Sequence, residues 1–407
     1  MIVTPFRGLR PRADLAAAIP SLPYDVLDSE EARALAKNDP YTFLHVIKAE
    51  IDLDPSVDVH DDSVYARARR NFQAMRDDGW LVADRRPAYY VYRQRMGEHV
   101  QTGLVGLAEV DDYKEGRIKR HEHTRPDKVE DRARHAIAIG AHAGPVFLTY
   151  RDRDEVDALV DRVTRAAPEV NFVAKDGIEH ALWVIDDPQQ LAAWEAALRA
   201  IPETYIADGH HRAAAYERVA MESRTTETRR FLAVHFPSSQ LKILDYNRCV
   251  KDLNGLDADG LCRRVREAGF EIRDPWLDRR PPGPGSIAMF VGTRWRLLAP
   301  AGGSRPTGDP VRDLDVSILQ DRILAPILGI GDPRKDARIG FVGGIRGIEE
   351  LERRVRAGDD AVAFALYPTQ LADVMRVADA GNVMPPKSTW FEPKLRSGMV
   401  VHPFDSI

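Results

Sequence analysis

The sequence predicts a mixed α/β (α+β) fold built of layered sheets and helices, and three features predict it. Apolar residues recur near the 3.6-residue period of a helix in stretches that alternate with short β-rich runs for most of the length. No repeat of fixed period stands out. The 407 residues, 44% hydrophobic and 30% charged, suffice for two or three domains that each bury a core.

Taken in order, the first helix is expected over 29–38, where Asp28 and Glu31 can form a capping pair and Pro40 ends the run. A second covers 63–78 and ends at Gly79. Strands follow at 88–93 and 102–110, then an exposed polar segment at 111–127 that leads into a helix. Runs at 145–150, 171–174 and 181–185 read as strands, with helices over 154–165 and 188–200 between and after them. Two more strands, 231–236 and 241–246, precede a helix at 256–268. The Pro- and Gly-dense stretches 279–286 and 301–308 are loops. From Leu314 onward the pattern is helix, strand, helix, strand, helix, a polar segment at 384–397 and a last strand. A boundary near residue 252 divides an N-terminal α/β region, 1–252, from a C-terminal α/β domain, 253–407.

A net charge of -5 leaves the chain without the broad positive field on which nucleic-acid binders rely, so nucleic acid is an unlikely partner and any anion site must be local. The start, Met1-Ile2-Val3-Thr4-Pro5-Phe6-Arg7, lacks the apolar core of a signal peptide. No stretch approaches the roughly 20 apolar residues of a membrane span. A cytoplasmic protein without a membrane partner is expected, and homo-oligomer formation is left open. Cys249 and Cys262 lack a Cys-x-x-Cys spacing and read as buried thiols, with no zinc site of their own.

The clearest chemical signal is Tyr205-Ile206-Ala207-Asp208-Gly209-His210-His211-Arg212, where a β-type run breaks at Asp208-Gly209 and a helix starts near His211. A helix N-terminus presents unpaired N–H groups and about half a positive charge, and so attracts anions. Gly209 lets backbone approach a ligand, while Arg212 can grip a phosphate with two parallel bonds. Replacing Arg212 by alanine is expected to weaken phosphate binding by roughly 1.5 to 3 kcal/mol. His210 or His211 could hand a proton to a leaving oxygen, and Asp208 could orient a histidine or hold a magnesium ion. The plainer alternative is a surface turn in which Asp208 only caps the helix.

A second constellation runs from Arg117 to Arg132 and holds His121, Glu122 and His123. If 119–123 is extended, the two histidines share one face and Glu122 takes the other. Glu122 beside basic groups is a reasonable general base, with Lys128 and Arg132 adding charge one turn apart on the next helix. The alternative is a solvated, salt-bridged loop. A third, Met384 to Lys394, sets Lys387, Ser388, Thr389 and Lys394 on a proline-stiffened backbone, either to close over a ligand as phosphate-binding groups or to strap the tail through Trp390 and Phe391. The turn holding Tyr24 and Asp25 is a weak signal. Neither Gly343-Gly344 nor 329–333 has dinucleotide-binding or P-loop spacing.

Together, Leu22-Pro23-Tyr24-Asp25-Val26, Lys119-Arg120-His121-Glu122-His123-Thr124, Ala207-Asp208-Gly209-His210-His211-Arg212 and the 384–394 segment resemble the bacterial and archaeal family catalogued as domain of unknown function 1015. The Asp-Gly-His-His-Arg stretch also resembles the nucleotide-binding motif of the ParB and sulfiredoxin superfamily, which includes free-serine kinases that use ADP. That resemblance implies a ParB/sulfiredoxin-like nucleotide-binding core, ADP or another nucleotide as cofactor, phosphate contacts from Asp208 to Arg212, and Glu122 as base. A link to serine metabolism makes serine or phosphoserine the implied substrate.

Three functions are thus in view. The first is a phosphotransferase or phosphatase acting on a small phosphorylated metabolite or hydroxy-amino acid. The second is a non-catalytic nucleotide sensor. The third is a metal-dependent hydrolase using His121, His123, His210 and His211.

Overall fold

The computed structural model describes residues 1–223, 225–303 and 306–405. The chain forms two units, one of Met1–Leu241 with Pro393–Ile407 and the other of Lys242–Glu392. The stretch 393–407, expected in the second domain, therefore belongs to the first unit. Of the loop 301–308, positions 304 and 305 lie outside the described residues.

In the first unit a nine-stranded mixed sheet runs in the order Ile118–Lys119, Thr204–Asp208, Val146–Tyr150, Arg230–Pro237, His99–Glu109, Tyr89–Met96, Glu179–Ile185, Val170–Val173, with Val3–Thr4 pairing His99–Glu109. Two pairings are parallel, Thr204–Asp208 with Ile118–Lys119 and Arg230–Pro237 with Val146–Tyr150. The others are antiparallel. This strand mixture is what the alternation of β-rich and helical runs implies.

The helices form largely where their caps place them. Asp28 accepts from the Glu31 backbone and the Glu31 carboxylate returns the bond, closing a capping box at the head of Ser29–Ala36. That helix stops two residues before the expected end, because Asn38 takes a left-handed φ of 62°. Asp61 caps Asp62–Asp77, and Gly79 follows it at a φ of 66°.

The segment 111–127 is not the uniformly exposed stretch its polarity suggests. It contains most of a short helix, Val110–Lys114, and the edge strand Ile118–Lys119. Tyr113 and Ile118 are buried with Val110, Ala213, Tyr216 and Val219 in one core cluster. Few apolar residues suffice to anchor it, since each one buried contributes about 1.5–3 kcal/mol.

The second unit centres on a six-stranded antiparallel sheet, ordered Phe270–Arg273, Arg294–Pro300, Ile287–Val291, Val362–Leu366, Tyr246–Val250, Ile339–Gly343. The run expected as one strand over 241–246 is two. Lys242–Leu244 pairs with Trp390–Glu392, and Tyr246–Val250 enters the main sheet. Cys249 and Cys262 are both free and buried, and burial pushes the Cys249 thiol up to about 12. No helix of the described residues is long and apolar enough to cross a membrane.

Candidate functional site

The strand Thr204–Asp208 meets its antiparallel neighbour in regular register at Tyr205 and Ile206, then slips, so that Asp208 rather than Ala207 faces Phe147. A bulge of this kind re-aims the side chains that follow it. Gly209 completes the turn at a φ of 92°, and helix His210–Ser223 starts immediately. A Cβ at Gly209 would lie 3.0 Å from the Arg212 guanidinium, so a side chain there is strained by the backbone and crowded by Arg212.

Arg212 does not face solvent. It is 3% exposed; one Nη donates to the Pro145 carbonyl at 2.5 Å and the other to Asp208 at 2.9 Å. Asp25 lies 3.8 Å from the same guanidinium, and the Lys394 ammonium lies 3.5 Å from the other Asp208 oxygen. Burial opposes its charge, yet Lys394 and Arg212 hold the Asp208 carboxyl below its usual range. Asp25 and Asp208 likewise outweigh burial and raise Arg212. The bidentate grip expected from Arg212 is thus directed at the protein itself, because a guanidinium at this depth must be paired where it lies.

The adjacent histidines pin the loop that carries Glu122. The backbone N–H of His121 donates to His210 Nε2 at 3.4 Å, and that of Arg125 donates to His211 Nε2 at 3.1 Å. With Nε2 accepting, the neutral imidazole of His210 carries its proton on Nδ1. That atom lies 3.6 Å from the Glu122 carboxylate. The His121 ring packs edge-on against His210, with centroids 4.4 Å apart. Burial lowers His121 to about 4, and burial together with His121 lowers His210 well below its ordinary value. His211 is lowered as well, again chiefly by burial. Both histidines of the pair are therefore neutral acceptors near pH 7 rather than the proton donors their position suggests.

The expected alternation over 119–123 fails for a simple reason. Strand pairing stops at Lys119, so Arg120 onward is free to turn. His121 and Glu122, assigned to opposite faces of a strand, both reach His210. Lys128 and Arg132 do share the helix Pro126–Ile139. Arg132, however, pairs with Asp131 at 2.6 Å and lies 4.1 Å over the Tyr24 ring. Among the described residues Lys128 has no ion-pair partner, and its charge acts on His211.

Lys387, Ser388 and Thr389 are residues of the second unit. There the Lys387 ammonium sits 5.7 Å over the Tyr246 ring, and Ser388 Oγ donates to the Pro385 carbonyl at 2.6 Å. The residues that sequence reasoning undervalued are Tyr24 and Asp25, which reach Arg132 and Arg212 from far upstream. Their only signal is the Leu-Pro-Tyr-Asp run. Among the described residues, no group of three or more His, Cys, Asp or Glu side chains is placed to hold a metal ion.

Residues 3–317 match the family described as protein of unknown function (DUF1015). The chain belongs to that family. The match takes in the turn at Asp25, the Glu122 loop and the Asp208–Arg212 turn; the 384–394 segment lies beyond it. No curated protein matches the chain. Among solved structures it is similar to free serine kinase in complex with AMP, at 16% identity over 72% of this chain and 91% of that one, with a TM-score of 0.37. It is also similar to SbnI with a C-terminal truncation from Staphylococcus aureus, at 13% identity over 74% and 87% with a TM-score of 0.40. A conserved hypothetical protein from Pyrococcus furiosus matches at 16% identity over 70% and 89%, with a TM-score of 0.34.

Proposed function

We propose that the first unit of this DUF1015 family member transfers a phosphoryl group between a nucleotide such as ADP and the hydroxyl of a small hydroxy-amino acid such as serine. The observation that carries the reading is the half-exposed Glu122 carboxylate beside His210, on a loop that the histidine pair fixes at the start of helix His210–Ser223. A carboxylate held in place beside an anion-attracting helix terminus supplies the two things phosphoryl transfer asks of a protein, a positioned base and charge complementarity.

In the forward direction the hydroxyl oxygen attacks the terminal phosphorus of the nucleotide. The new O–P bond forms as the phosphoanhydride bond breaks, the shortened nucleotide leaves, and the hydroxyl proton passes to Glu122. The first N–H groups of the helix face the phosphates, with Lys128, which has no ion-pair partner among the described residues and whose charge acts on His211, the nearby cation. His210 and His211 position the loop. Asp208, Arg212, Lys394 and Asp25 set the turn. A magnesium ion does not suit Asp208, whose two oxygens already face Arg212 and Lys394. It would suit the phosphates of the nucleotide instead.

Purified protein incubated with ADP and L-serine should yield AMP and phosphoserine, and the reverse mixture should yield ADP. Folded protein inert to serine and phosphoserine with every common nucleotide would remove this reading. A second reading, nucleotide sensing without turnover, is favoured by the commitment of Arg212, His210 and His211 to protein partners. Nucleotide binding by calorimetry, with no product formed, would select it.

A further inference from the structure

The second unit contains a buried cation that the protein does not neutralise. Arg248, on strand Tyr246–Val250, is 2% exposed. Among the described residues its Nη atoms donate to backbone carbonyls alone, those of Tyr246, Pro386 (3.1 Å) and Lys387 (2.9 Å), and its guanidinium lies 5.4 Å over the Phe341 ring. Among the described residues no carboxylate pairs with it. Burial without a counter-ion brings this arginine down to about 10, the opposite of Arg212, which is as deeply buried but paired. A buried charge left without an opposite charge costs several kcal/mol, so folds keep one only where something supplies the partner.

Arg248 lines a cavity of about 40 Å³ together with Thr369, Gln370 and Ser388. Helix Leu371–Asp379 begins at this cavity with no side-chain cap, since the Gln370 amide donates to the Pro368 carbonyl instead. Two independent sources of positive potential therefore meet at one cavity.

The same cavity is also lined by Asp313, Asp315 and Asp373. Their partners are elsewhere: Asp315 accepts from the Gly285 N–H at 2.7 Å, Asp313 from Thr307 at 2.7 Å, and Asp373 from Arg376 at 2.5 Å. Among the described residues Asp315 has no cationic partner, and burial with the neighbouring Asp373 raises it to about 6. The cavity thus carries an unneutralised cation and an unneutralised carboxylate that do not pair with each other.

We propose that this cavity binds a small zwitterionic α-amino acid, its carboxylate on Arg248 and the first N–H groups of helix Leu371–Asp379, its ammonium on Asp315. The volume fits that class. At about 10–15 Å³ per enclosed water it holds roughly three waters, the displacement of an amino acid with a very short side chain. A phosphate dianion is disfavoured because three carboxylates border the same space. A simple amine would leave Arg248 unpaired. The site lies wholly within the second unit and is separate from the phosphoryl-transfer reading, so the protein would both sense and process small amino acids by different surfaces.

The test is calorimetric titration of the full-length protein with glycine, L-alanine and L-serine, set against acetate, methylamine and inorganic phosphate. Glycine and L-alanine have no hydroxyl to accept a phosphoryl group, so their binding does not depend on the first unit's chemistry. Saturable binding of at least one of them is expected. It should weaken by tenfold or more in Arg248→Gln and in Asp315→Asn and stay unchanged in Glu122→Gln. Asp315→Asn keeps an acceptor for Gly285 and decides the matter if Arg248→Gln unfolds. The proposal is overturned if neither glycine nor L-alanine binds, if both substitutions leave that binding intact, or if acetate, methylamine or phosphate binds as tightly as these amino acids in a manner that Arg248→Gln abolishes.

Discussion

Glu122 and Arg212 exchange the prominence their positions in the sequence give them. Arg212 stands in the most legible motif, yet both of its Nη groups are taken up by Pro145, Asp208 and Asp25. Its replacement by alanine should therefore register first in stability. Leaving the Asp208 carboxylate buried beside only Lys394 is expected to cost about 3–5 kcal/mol, the range for a broken buried ion pair, read from urea unfolding. A loss below 1 kcal/mol accompanied by weaker nucleotide binding would instead restore the phosphate grip. Glu122 makes the opposite case. Its loop is held by backbone bonds to His210 and His211, so Glu122→Gln should leave nucleotide binding and melting temperature unchanged while lowering phosphoryl transfer by about 10²–10⁴-fold, the usual range for a general base. Steady-state rates and calorimetry on the same preparation separate the two effects.

Secondary structure elements position the site through two adjacent irregularities. The bulge at Ala207 and the positive φ of Gly209 let strand Thr204–Asp208 hand over to helix His210–Ser223 without a loop. Gly209→Ala should destabilise the protein by about 1–3 kcal/mol, since it forces a side chain into a left-handed backbone and against Arg212. Thermal melting checks this, and an unchanged midpoint would show that the turn relaxes freely. Most element types were readable for the ordinary reason that caps and periods are local. Asp28 with Glu31, and Gly79, mark helix ends within a few residues. The loop after Lys119 was not readable, because whether a polar stretch stays extended depends on how long its neighbour strand pairs with it.

At the scale of the whole molecule the twelve histidines are unevenly placed. All lie in residues 1–241 or 393–407, and none in 242–392. Seven of them, His121, His135, His142, His180, His210, His235 and His402, are buried. Burial lowers His121 and His135 to about 4 and His180, His235 and His402 to about 3, with His142 and His210 well below normal. An unfolded imidazole takes its proton near pH 6.5, so in the interval below that the unfolded chain binds more protons than the native one. The stability these groups contribute is fully present above about pH 6.5 and is lost as the pH falls toward 4 and below. His45, raised by its bond to Asp52, works in the opposite sense but is a single group. Urea unfolding at pH 7, 6 and 5 should show the first unit weakening by more than the roughly 1.4 kcal/mol per pH unit of one proton, while the histidine-free second unit changes less. Equal sensitivity of the two would contradict it.

The sequence by itself determined the α/β class, the order of most elements, the family and the strand-to-helix turn at Asp208–His210, because these rest on local periods, caps and glycine. Only the tertiary structure decided which groups meet there. It brought Asp25 and Lys394 to Arg212 and Asp208 across nearly two hundred residues each, turned the histidine pair into acceptors for a distant loop, and returned the chain's last segment to the first unit. The physical reason is that a charge's role is set by its burial and its partners, and neither is encoded in the residues next to it.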